Sequence, residues 1–176
     1  IRDGIEDEQQ KHAVTKMTPN DDMVALNADD DVTRHFNRGM KLGWIRDITV
    51  EHISAPEAYT FVRLLSRTAE LSHIVIRDIR GGCRNYALNL NRWRFPKGAG
   101  NIHDVFVDDV QVAKVGDNNN PLIPVSLSVS NMTIRRFVRT DTDKAAPTIL
   151  FDPYVDASID LDLTRKRPGE NSQDAP

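Results

Sequence analysis

Cysteine is nearly absent. Cys83 is the one thiol in 176 residues, so an internal disulfide is impossible and a disulfide-stapled scaffold is excluded. A lone Cys in an apolar stretch reads as a small core residue. No run approaches the roughly 18 apolar residues of a membrane-spanning helix. No secretory leader is visible, and because the chain opens at Ile1 a processed or truncated product is expected. Basic residues do not cluster: Lys and Arg number 23 against 26 Asp and Glu, for a net charge of -3. A nucleic-acid partner, which needs a basic patch, has no support. The short run Arg165 to Arg167 reads as part of a solvated tail. The histidines (His12, His35, His52, His73, His103) show no HxxxH spacing, so no zinc site is expected. The 3.6-residue periodicity of amphipathic helices is also missing.

What remains is short, β-branched and repetitive. The stretch Ile45 to Ile53, IRDITVEHI, returns as HIVIRDI from His73, HDVFVDDV from His103 and NMTIRRF from Asn131. Ile48, Ile74, Val105 and Met132 are equivalent, so the period is 26 to 31 residues, within the range of repeat folds. A second strand type, AYTFVRLLS (Ala58 to Ser66), has partners in Asn85 to Asn91, Leu122 to Val129, Thr148 to Asp152 and, one repeat earlier, MVALN. Turns are predicted at Ser54-Ala55-Pro56, Gly81-Gly82, Lys97 to Gly100 and Gly116 to Asn120, and Ala157 to Thr164 reads as the last strand of the first type.

Aligned repeats form columns. Glu51, Arg77, Asp108 and Arg135 share one position, and Asp47, His73, Asp104 and Asn131 another. Parallel rungs stack about 4.8 Å apart. Alternating sign along the first column is what stacked neighbours favour, at roughly 0.2 to 1 kcal/mol per pair. Ile48, Val50 and Ile53 are expected to point inward and stack on their equivalents. The expected fold is therefore all-β: a right-handed, single-stranded parallel β-helix, or solenoid, of about five rungs over residues 1–164, with a frayed tail over 165–176.

DGI at Asp3, DDMVALN from Asp21, IRDITVEHI and FVRLLS together resemble right-handed parallel β-helix proteins of the pectin-lyase-like superfamily, nearest to the polygalacturonase-type glycoside hydrolases. The resemblance spans about Arg2 to Leu163. The family carries Asn-Thr-Asp, Asp-Asp, Gly-His-Gly and Arg-Ile-Lys motifs on successive rungs. Asp3 matches the first motif's Asp, with Ile1 and Arg2 replacing its other residues. Asp21 and Asp22 match the pair, and Arg63 the last motif's Arg. No histidine stands near Gly43, and Leu65 replaces the Lys.

The resemblance implies a polysaccharide or glycoside hydrolase with Asp3, Asp21 and Asp22 catalytic. Asp22 would be the acid, and Asp3 and Asp21 the water-activating pair. Inverting hydrolysis needs an acid and a base about 6.5 to 9.5 Å apart, and crowded carboxyls raise at least one pKa. Arg63 would bind the sugar. In NYALNLNRWRF, Trp93 and Arg92 suit sugar recognition along a groove, although packing of the loop explains Trp93 equally well. Asp pairs also recur at Asp29-Asp30 and Asp108-Asp109, where ordinary turn chemistry suffices.

No cofactor and no resident metal are expected. A calcium-dependent lyase using Asp29, Asp30 and Asp31, a non-catalytic glycan-binding β-helix and a structural, spike-like β-helix stand as alternatives. The expected partner is a polysaccharide or oligosaccharide, at a secreted or cell-surface location. A homo-oligomer, or a missing N-terminal portion of the same chain, would cover the coil's open end.

Overall fold

The computed structural model describes residues 19–30, 35, 38, 39 and 42–165. They form eight strands and no α-helix: β1 (Asp22–Asn27), β2 (Ile45–Leu65), β3 (Leu71–Asn89), β4 (Ile102–Lys114), β5 (Ile123–Val125), β6 (Val129–Arg139), β7 (Ile149–Phe151) and β8 (Ala157–Arg165). Every pairing is parallel, in the orders β1-β2-β3-β4-β6-β8 and β5-β7. The chain is a parallel β-solenoid.

The predicted columns are the observed register. Ile48 pairs with Ile74, Ile74 with Val105 and Val105 with Met132. Glu51, Arg77, Asp108 and Arg135 stack in the same way. Arg77 Nε donates to Glu51 Oε2 at 2.6 Å. Asp108 takes its two short bonds from Arg136, the neighbour of its column partner, at 2.8 and 2.6 Å.

Left-handed corners set the spacing of the inward residues. Asp47 and His52, His73 and Asp78, Asp104 and Asp109, and Asn131 and Arg136 all have φ between 47° and 60°. One left-handed residue bends a strand sharply and slips its in-out alternation, and Asn, Asp and His accept that conformation more readily than most residues. Hence Ile74, Ile76 and Ile79 are all buried although they are spaced two and then three apart. Each such aliphatic contributes roughly 1.5 to 3 kcal/mol.

Three expectations need correction. Among the described residues the solenoid has about four turns, against the five expected over residues 1–164. Among the described residues the stack starts in mid-turn, because β1 pairs only with the second half of β2, and it ends on β8. The two strand types are not separated by turns at Ser54 to Pro56 or Gly81-Gly82. β2 and β3 run through both places, with register shifts between Ala55 and Thr60. Gly81, at φ 122°, lies against the Ala55 carbonyl of the coil beneath, where a Cβ would collide. The strand foreseen over Leu122 to Val129 is only Ile123–Val125, followed by the start of β6.

A buried polar knot closes one side of the later coils. Arg139 is fully buried and donates to both Asp141 carboxylate oxygens, at 2.6 to 3.0 Å, and to the carbonyls of Lys144 and Ala146. Lys114 Nζ, also buried, donates to the Asn85 carbonyl at 2.7 Å and to Asn118 Oδ1 at 2.8 Å. These bonds satisfy carbonyls that the long loops would otherwise bury unpaired.

Candidate functional site

Parallel stacking places Asp22 in register with Thr60, and Thr60 with Tyr86. The three stand in one column, about 4.8 Å per step. The Asp22 side chain is only 7% exposed, and Arg63 Nη1 donates to its Oδ2 at 3.1 Å. Burial pushes the Asp22 carboxyl above the ordinary range. Arg63 pulls it partly back through its charge and hydrogen bond, and the neighbouring Asp21 adds a further upward push. Asp21 is exposed, and its Oδ1 accepts the Asp22 backbone N–H at 2.9 Å. Arg84 holds the approach to this pair: its Nη2 donates to the Pro19 carbonyl at 2.8 Å and to Asn20 Oδ1 at 3.3 Å.

Arg63 also faces the next loop. Its guanidinium lies 5.8 Å from the centre of the Trp93 ring, within cation–π range, while its buried Nε has no partner among the described residues. Trp93 is 57% exposed and has φ 54°. A bulky residue rarely holds that conformation. Here Asn91 Oδ1 accepts the Trp93 N–H at 2.8 Å, and Arg94 stands 5.8 Å from the ring.

Beyond Trp93 opens a cleft of about 560 Å³, walled by Tyr86, Arg92, Trp93, Asn120, Phe151 and Asp152 among others. Arg92 is fixed in it by three contacts. Its N–H donates to Ser126 Oγ at 2.8 Å, its Nη1 to the Phe95 carbonyl at 2.7 Å, and its Nε lies 3.8 Å from Asp152 Oδ2. Burial pushes the Tyr86 hydroxyl up, partly offset by its hydrogen bond with Asn91. The cleft thus combines exposed aromatic faces with amide and hydroxyl groups, and the nearly buried Asp22 carboxyl lies outside its walls, linked to them through Arg63 and Trp93.

Of the residues singled out from sequence, Asp21, Asp22 and Arg63 come together, Trp93 joins them through Arg63, and Arg92 lies further along the cleft. Asp3 lies outside the described residues, as does Asp31 of the foreseen calcium run. Asp29 is buried and serves as a loop cap: its carboxylate accepts the N–H groups of Arg67, Thr68 and Ala69. No group of three metal-ligating side chains occurs among the described residues. Leu65, where the related motif has Lys, is 2% exposed in the core and faces no cleft. Thr60, Arg84, Asn120 and Asp152 were not foreseen; only the stacking register reveals them.

The chain matches no protein-family model, no curated protein and no solved structure.

Proposed function

We propose that the surface from Asp22 to Asp152 binds a polysaccharide along the solenoid axis and that the protein hydrolyses it. The observation that carries this reading is the nearly buried Asp22 carboxyl, whose pKa burial raises above the ordinary range, linked through Arg63 to Trp93 on the wall of a cleft with exposed aromatics. Stacked coils repeat every 4.8 Å or so, close to the length of one sugar unit, so successive rungs serve successive units. Asp22 donates a proton to the glycosidic oxygen. The exposed carboxylate of Asp21 activates water, joined by Asp3 on the strength of the resemblance alone. The Trp93 face carries a sugar ring, and Arg92 and Asn120 take its hydroxyls.

The test is release of new reducing ends from a panel of neutral and acidic polysaccharides. Wild type is expected to release them, and a folded Asp22→Asn variant to lose most of that activity. Equal activity in Asp22→Asn removes the reading. A second reading, glycan binding without cleavage, is favoured by the Arg63 ion pair, which ties up the Asp22 carboxylate. Binding that needs Trp93, with no reducing ends released by any form, selects that one.

A further inference from the structure

The last strand departs from the rule of the coils beneath it. From Val129 to Phe137, β6 has left-handed corners at Asn131 and Arg136. β8 covers the same path from Ala157 to Leu163 with one residue fewer at each corner, and no residue of β8 has positive φ. β8 is therefore a straight strand with plain alternation. Its outer edge pairs with nothing among the described residues. Ile159 and Leu163 are half-buried on the core, and Leu161 is 37% exposed although its column mate Ile134 is fully buried. Ser158, Asp160, Asp162 and Thr164 face outward.

Charge narrows what this edge accepts. Arg77 bonds Glu51 and Arg136 bonds Asp108 across neighbouring coils, whereas Asp162 Oδ2 accepts only the backbone N–H of Arg136, at 3.3 Å. No basic side chain pairs with Asp160 or Asp162 among the described residues, so this edge presents two outward carboxylates that a cation would complement. A second copy fits poorly. Among the described residues the first coil is bent at Asp47 and His52 and carries Glu51 outward, which mismatches β8 in shape and sign. Two β8 edges would set Asp160 and Asp162 against their own kind.

We propose that the outer edge of β8 is a strand-addition site for an extended segment of another protein, in which aliphatic residues alternate with Lys or Arg. Its backbone completes the unpaired edge, its aliphatic residues cover Ile159, Leu161 and Leu163, and its cations meet Asp160 and Asp162. This stands apart from the glycan reading, since β8 contributes no residue to the cleft.

The probes are nine-residue synthetic peptides: alternating Val and Lys, alternating Val and Glu, and a Val/Lys peptide of the same composition in blocks. Binding is followed by titration, and located by backbone amide shifts and hydrogen exchange. The alternating Val/Lys peptide is expected to bind, protect the amides of β8 and outcompete the Val/Glu peptide by about tenfold, as two attractive cross-strand pairs replace two repulsive ones. In the exposed double variant Asp160→Lys, Asp162→Lys the preference reverses. Absence of binding, equal binding of the blocked peptide, protection elsewhere than β8, or self-association through β8 overturns the proposal. In the first case the acidic row is only a guard on a solvated edge.

Discussion

Arg63 and Asp22 lie 41 positions apart in the chain, yet the Arg63 Nη1 hydrogen bonds the Asp22 Oδ2 at 3.1 Å, across the seam between the first two coils. Register alone makes the contact, because Arg63 pairs with Ala25 on the same strand as Asp22. The arginine therefore has two roles. It tempers a carboxyl that burial drives toward protonation, and it offers its face to Trp93.

That balance predicts a pH dependence. The folded Asp22 pKa lies above its unfolded value, near 3.9 for an ordinary Asp. Stability from the protonated form is therefore full below the unfolded pKa and fades as pH rises through the folded one. An acid-dependent hydrolysis falls over the same upper limb. Carbon-detected NMR titration of Asp22 is expected to give a midpoint above the ordinary range, and Arg63→Met to raise it further. A midpoint at or below the ordinary value contradicts the burial argument.

Cys83 is fully buried, and its thiol is pushed up to about 12, chiefly by burial. At pH 8 the folded protein is expected to leave an aromatic disulfide reagent unreacted, and one thiol to react on adding denaturant. Above about 8.5, where an unfolded Cys ionises, the raised folded value means that stability declines as pH increases. Rapid labelling of the native protein is the contrary result.

The corners predict an unusual substitution pattern. His73 is exposed, with φ 52°. His73→Gly is expected to change stability little, whereas His73→Val is expected to cost about 1 to 2 kcal/mol from left-handed strain. Chemical denaturation of both variants tests this; equal midpoints would mean that the corners are not what bends the strands.

Inside the coil, Ile76 is completely buried between Val50 and Val107 of its column. Ile76→Val is expected to cost about 0.5 to 1.5 kcal/mol. Ile76→Asp is expected to abolish cooperative folding, because no cation is available within the column to pair with the charge. Circular dichroism melts distinguish the two.

At the polar knot, Asp141→Ala leaves Arg139 buried beside Lys114, whose own pKa is lowered by burial and by Arg139. Removing one partner of a buried pair costs about 3 to 5 kcal/mol. A loss below about 1 kcal/mol, typical of exposed pairs, would mean that the knot opens to water.

Much of this is legible in the sequence. The recurrence of Ile48, Ile74, Val105 and Met132 announced stacked coils, because a parallel solenoid repeats its environment and so its residue types. Alternation along Glu51, Arg77, Asp108 and Arg135 followed from the same repetition. The corner column Asp47, His73, Asp104 and Asn131 was visible as an alignment, but its left-handed backbone was not, since Asp, Asn and His serve many purposes. The apparent turns at Pro56 and Gly81 misled because those residues are turn formers by propensity, whereas here β2 and β3 run on through both places, with Pro56 inside a register shift and Gly81 paired between Ala55 and Val112.

The sequence by itself determined the parallel coil and which aliphatics line it, because periodic burial leaves a periodic trace. Only the tertiary structure decided that Asp22 meets Arg63, that Arg63 meets Trp93, and that Arg92 faces Asp152. Those contacts join different coils through loops of unequal length, and their register follows from how the coils stack and not from any local spacing.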